Sequence, residues 1–419
     1  MAIVEDKKMA AARLCEADFQ ALPLKQKSEY LRTVSAKEKM DLILADPEAK
    51  KLTSALEPQE FFWLMKEIGE ADALELLRIA SAEQCVFILD MELWDGWTFS
   101  EEKACHWLAH FMEGGEPRIH ELLKHVDYEI LQLLLGRELV VGGGIGDHSN
   151  DEERLADYDH TFDGVFMLTF KNPKHSQLIG SFLSMLVKLD NPLYTALMEG
   201  IKGDVDLELE EECQRFRNGR LQDLGFPPYE EALSIYARVN PDQFQLSGGK
   251  VHSPAGEGGQ LMPATPDRDT LFFRALALAD EPTLLQELNY LVNTALVAEG
   301  SAFHEPESML GVLHRVCGYV NIALEKLSSG DEQRAAKILV DEELKRLFQL
   351  GFSIVMQLKF SAEKTGTEDY ATGKLLAGLK AKRPRYYRGL DPDGVDGYRE
   401  FKDLADVQRV ADLLDRLAG

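Results

Sequence analysis

Six segments between residues 58 and 135 share one apolar spacing, and that spacing limits the folds open to the chain. Counting from Pro58, Glu70, Ala82, Glu101, Glu116 and Asp127, the residues three, six and seven places on are apolar in every case. They are Phe61, Leu64 and Met65; Ala73, Leu76 and Leu77; Cys85, Ile88 and Leu89; Ala104, Trp107 and Leu108; Ile119, Leu122 and Leu123; and Ile130, Leu133 and Leu134. Such a pattern puts three side chains on one face of a short helix. The first three units start 12 residues apart. Helices that short are marginal alone and must stack on one another. The expectation is a mostly α protein built on a short-helix superhelix, α-solenoid-like, a shape used for holding partners.

Capping chemistry places two helix starts. Ser35-Ala36-Lys37-Glu38 and Ser81-Ala82-Glu83-Gln84 are capping-box candidates, and each precedes apolar residues at helical spacing. Pro58 suits the first turn of its helix. Beyond Val141 the composition changes. Gly142-Gly143-Gly144-Ile145-Gly146 and the acids after it read as a linker, and Asp163-Gly164 between apolar, β-prone residues predicts one small β-hairpin over 161–170. Four regions are expected. Residues 1–141 form a helical leader and the superhelix, and 142–245 an acidic linker, the hairpin and helices. Residues 246–266, rich in Gly, Pro and Ser, form a loop, and 267–419 a larger C-terminal helical domain with an extended strap at 383–397 and a terminal helix.

Charge narrows the function classes. The chain has 72 acidic against 46 basic residues, a formal net charge of -26, which opposes general nucleic-acid binding. Five well-separated cysteines with no CxxC pair argue against a disulfide framework or a zinc ribbon, and a reducing cytoplasm fits. The N-terminus lacks the pattern of a secretory signal, and no apolar run approaches a membrane span.

Three constellations carry candidate chemistry. Asp157, Asp159 and Asp163 could supply oxygen ligands to Mg²⁺ or Ca²⁺, although the stretch lacks the EF-hand arrangement and also reads as a solvated acidic loop. Arg215, Arg217 and Arg220 could bind an anion such as phosphate or a nucleotide, or pair internally with neighbouring carboxylates. A second basic island, Lys380 to Arg388 around Tyr386 and Tyr387, reads the same way. His106 and His110 lie one helical turn apart, which is metal-ligand spacing. The sequence His-Trp-Leu-Ala-His lacks the Glu of HExxH, and both histidines are expected towards the solvent side of their helix. The glycine run matches neither a P-loop nor GxGxxG, and no GxSxG appears.

Leu56-Glu57-Pro58-Gln59-Glu60, Leu64, Ala73-Leu74-Glu75-Leu76-Leu77 and Ile88-Leu89-Asp90 carry a resemblance. Over about residues 52–136 the chain resembles the N-terminal superhelical domain of MgtE-type magnesium transporters. The rest of the chain departs from those transporters, so the resemblance implies an architecture and not transport. Ala71 to Leu77, Arg215 to Pro227 and Arg388-Gly389-Leu390-Asp391 are similar to a family of bacterial proteins of unknown function, which implies organisation and no chemistry. The functional expectation is a cytoplasmic helical scaffold or adaptor that binds a protein partner through Trp94, Trp97 and His106, with no cofactor and no evident catalysis. The alternative is a divalent-cation-responsive regulator or metal-dependent enzyme using the acidic 157–163 loop.

Overall fold

The computed structural model describes residues 14–96, 98–144, 158–202, 206–250, 269–300, 306–366 and 369–418. These residues are mostly helical, with three small antiparallel two-stranded ladders. The chain divides into two compact units, Met1–Arg220 and Leu221–Gly419.

The first unit opens with four short helices, α1 (Glu16–Gln20), α2 (Leu24–Leu31), α3 (Ala36–Ala45) and α4 (Ala49–Ser54). Each of the six apolar-spaced segments then contains one helix: α5 (Pro58–Ile68), α6 (Leu74–Ile79), α7 (Ala82–Glu92), α8 (Glu101–Met112), α9 (Gly115–Leu122) and α10 (Tyr128–Glu138). Their starts follow the local chemistry. Pro58 occupies the first turn of α5. Ser81 and Gln84 close a full capping box on α7, and Ser35 accepts from the Glu38 amide at the start of α3. The Gln84 amide also donates to the Thr53 and Leu56 carbonyls, at 2.8 and 2.7 Å. One side chain thus caps its own helix and satisfies two carbonyls at the end of α4.

The β structure differs from the expected hairpin. The Asp163-Gly164 turn does reverse the chain, with Gly164 at φ +74° and Asp163 Oδ1 accepting from the Val165 and Phe166 amides. The main partner of the strand that follows, β4 (Phe166–Phe170), is nonetheless β3 (Leu139–Gly143), in the register Leu139↔Phe170 to Gly143↔Phe166. Among the described residues a single bridge, His160↔Leu168, pairs β4 with the segment just before the turn. The first two glycines of the run expected to be linker lie inside β3. Gly142 is required there, because a Cβ would sit 2.3 Å from the Tyr158 ring. A two-residue ladder, β1 (Trp94–Asp95) with β2 (Thr98–Phe99), joins α7 to α8. Three helices complete the unit, α11 (Ser176–Leu189), α12 (Asn191–Ile201) and α13 (Asp206–Asp223), and the division between units falls inside α13.

The second unit holds α14 (Tyr229–Ala232), α15 (Leu271–Ala279), α16 (Pro282–Glu299), α17 (Pro306–Ser328), α18 (Glu332–Asp341), α19 (Leu344–Glu363), α20 (Tyr370–Lys380) and α21 (Leu404–Ala418), with β5 (Tyr386–Tyr387) and β6 (Tyr398–Arg399). The core runs along α17 and α19, which cross with almost no separation: a Cβ on Gly351 would lie 1.9 Å from the Tyr319 carbonyl oxygen. The second basic island pairs internally. Arg383 reaches Glu299 at 3.3 Å and Arg385 reaches Glu400 at 3.7 Å. Both carboxylates are also held by the buried Arg315. Beside them Arg399 forks between Asp391 and Asp406, with its guanidinium 3.8 Å from the Tyr386 ring centre.

Candidate functional site

An open apolar groove lies in the first unit and is made largely by the repeated spacing itself. Of each apolar triple, most residues are sealed in the core: Phe61, Leu76, Cys85, Ile88 and Leu133 are fully buried. Leu89, Leu108, Leu123 and Ile130 are only half-buried. These four line a groove of about 530 Å³, counted out to its mouth, whose lining is entirely apolar. Phe99 and Phe111 shape its walls, and Phe182 of α11 adds a further aromatic side chain. Its enclosed part, about 60 Å³, is room for the tips of apolar side chains.

A second, partly polar cavity, about 310 Å³ counted out to its mouth, adjoins it and shares Leu89, Leu93, Val126 and Ile130 with the groove. Asp90 near the end of α7, Asp127 at the start of α10, and Arg217 and Arg220 of α13 line it. Arg220 binds Asp90 bidentately, at 2.8 and 2.7 Å, and Asp127 at 2.6 Å. It thereby clasps α7 to the start of α10. Arg217 donates from Nε to the Asp90 carbonyl and lies over the Trp94 ring, 5.6 Å from its centre. Burial brings the Arg217 guanidinium down to about 10, which leaves it cationic at neutral pH. For Arg220 burial acts in the same sense, but the two carboxylates outweigh it and hold its proton more tightly. Burial pushes the Asp90 carboxyl up while Arg220 pulls it down. With two guanidiniums beside it, the ionised carboxylate is the form this geometry fits.

The sequence-predicted residues fall in different places. Arg217 and Arg220 share the polar cavity, whereas Arg215 is exposed, paired with Glu212 at 2.9 Å and stacked on Phe216. Trp94 is buried between Phe99 and Arg217, so it faces the interior and not the surface. Trp97 and Asp157 lie outside the described residues. Asp159 is exposed and Asp163 holds the β4 turn, and neither joins a three-ligand cluster among the described residues. His106 is exposed and contacts His110 and Glu70. Sequence reasoning missed Asp90, Asp127 and Glu70. Each is an ordinary acid on an amphipathic helix or beside one, and only the packing of distant helices gives it a partner.

No helix among the described residues is long and apolar enough to cross a membrane. No curated protein and no solved structure matches the chain. Residues 16–419 match the family described as "Family of unknown function (DUF6178)", and the chain belongs to that family.

Proposed function

We propose that the chain is a cytoplasmic helical adaptor, and that its apolar groove receives the apolar face of a basic amphipathic helix from a protein partner. The half-buried repeat positions carry this reading. Leu89, Leu108, Leu123 and Ile130 follow the same spacing as the core residues yet stay open to solvent. Apolar side chains left together at a concave surface mark interaction sites. An amphipathic helix seats its i, i+3, i+4 and i+7 side chains in such a groove. Charge selects the polar face of the partner. Residues 58–138 carry 17 acidic and 6 basic side chains, so a helix rich in Lys and Arg is steered in and an acidic one repelled.

The test places a photo-reactive phenylalanine analogue at position 123 of the full chain and irradiates native extract. The expected product is a protein adduct whose cross-linked peptide is amphipathic and basic. Its yield should drop about tenfold or more when Leu108→Glu is added. A lipid or small-molecule adduct, or a protein adduct indifferent to Leu108→Glu, would refute the proposal. The folded state of each variant is checked by thermal unfolding, since both sites are half-buried and not core.

A further inference from the structure

We infer that Glu70, His106 and His110 form a Zn²⁺ site with an open fourth coordination position at the surface of the first unit. His106 and His110 are one turn apart on α8, and their rings stand at 88° with centres 4.5 Å apart. Their Nε2 atoms converge to 3.2 Å, and Glu70 Oε2 approaches His106 Nε2 to 3.1 Å. The three ligand atoms lie within 4.8 Å of one another.

Two full-strength hydrogen bonds cannot both be made by His106 Nε2, which has one proton or one lone pair to share between Glu70 and His110. A neutral imidazole nitrogen carries either one proton or one lone pair. If His106 Nε2 donates to Glu70, it has no lone pair left for His110. If it accepts from His110, its lone pair faces the carboxylate. A cation at the point of convergence accepts all three lone pairs at once. With Zn–N and Zn–O distances of about 2.0–2.1 Å, two ligand atoms 3.1–3.2 Å apart subtend roughly 100° at the metal, close to tetrahedral. The remaining edge, from Glu70 to His110, is no longer than 4.8 Å.

The surroundings hold the ligands in place. Gly69 ends α5 at φ +100° and turns the chain at Glu70. Glu70 Oε1 is fixed by Lys66 at 2.7 Å, which leaves Oε2 to face the histidines. Lys66 is itself buried and shared with Glu92 at 2.7 Å. Its charge is therefore balanced between two carboxylates and does not exclude a divalent ion. His110 Nδ1 has no partner among the described residues, so packing against Trp107, 5.8 Å between ring centres, and not a hydrogen bond at that nitrogen, orients the ring. Two imidazoles and one carboxylate suit Zn²⁺ better than the hard cations Mg²⁺ or Ca²⁺, and His106, about half-exposed, leaves room for water or an outside ligand at the fourth position. A second cluster, Cys105, Glu138 and His175, has its ligand atoms equally close but lies in the interior. Its Cys105 Sγ to Glu138 distance of 3.9 Å exceeds the roughly 3.6 Å edge of a zinc tetrahedron, and a protonated thiol donating to the carboxylate satisfies it without an ion.

The experiment titrates the untagged, chelator-treated full chain with Zn²⁺ by calorimetry and with Co²⁺ by visible absorption. The expected result is one tight ion per chain and a tetrahedral Co²⁺ spectrum. Affinity should fall at least about tenfold in Glu70→Gln, His106→Gln and His110→Gln, and stay unchanged in Cys105→Ser. No saturable binding, an octahedral Co²⁺ spectrum, or binding that survives His106→Gln and Glu70→Gln would overturn the inference. His106 and Glu70 are exposed enough that these two variants test the site without unfolding the unit.

Discussion

Replacing Arg220 by alanine tests the claim that the polar clasp organises the groove beside it. The change removes a bidentate pair to Asp90 and a third bond to Asp127. It leaves Asp90, 5% exposed, as a buried carboxylate with only Arg217 nearby. Stripping one partner from a buried ion pair costs about 3–5 kcal/mol. The Arg220 side chain is 34% exposed, and Arg217 still offsets part of the Asp90 charge, so the lower end applies, about 3 kcal/mol. For a unit of this size that is a drop of roughly 6–12 °C in its unfolding midpoint. Scanning calorimetry on the full chain reads the midpoint directly. The double variant Asp90→Asn/Arg220→Met removes both charges and keeps the bulk, so it should lose clearly less than Arg220→Ala alone. A loss below about 0.5 kcal/mol for Arg220→Ala, or a double variant as unstable as the sum of its parts, would show that the clasp is a surface pair with no organising role.

The thiols give a prediction with a definite sign. Burial pushes Cys85, Cys105, Cys213 and Cys317 up to about 12, whereas an unfolded thiol titrates near 8.5. Above about pH 9 the unfolded chain sheds protons that the folded chain keeps, so stability falls with rising pH, by about 1.4 kcal/mol per thiol per pH unit. Urea titrations between pH 7 and 10 should show this loss, and a native-state thiol reagent at pH 8 should label Cys15 first, since it is the exposed one. Stability that rises over the same range would contradict the assignment. In the second unit, Gly351→Ala should cost about 3 kcal/mol, because the new methyl meets the Tyr319 backbone. Gly373→Ala, in the open middle of α20, should instead stabilise by roughly 0.5–1 kcal/mol, and denaturant midpoints of the two variants should move in opposite directions.

Local periodicity was the legible part of this chain. All six apolar-spaced segments are helical, and Ser81 with Gln84 caps its helix as the pattern implies. The signal failed where structure depends on distant pairing. Phe166–Phe170 reads as half of a local hairpin, yet its partner strand starts 27 residues earlier, and Gly142, one of the glycines that suggested a linker, makes room there for the Tyr158 ring. The helix Tyr370–Lys380 was hidden for a different reason. Gly373 and Gly378 weaken its propensity, while Asp369 capping the Thr372 amide and the close approach of Tyr398 to Gly378 hold it in place.

The candidate sites follow the same division. Arg217 and Arg220 were visible as basic residues three apart, but their partners Asp90 and Asp127 lie 130 and 93 residues away from Arg220. His106 and His110 were visible as a helical pair, but Glu70, which makes them a convergent set, precedes His106 by 36 residues. The groove is the exception, because periodicity contains it. The first two units bury all three of their apolar positions, whereas each of the last four leaves one half-open, at Leu89, Leu108, Leu123 and Ile130. A sequence selected for stability alone has no need of Leu at half-open positions, where a polar residue of equal helix propensity would cost little. The apolar side chains at these four positions are therefore the feature on which the proposed docking site rests.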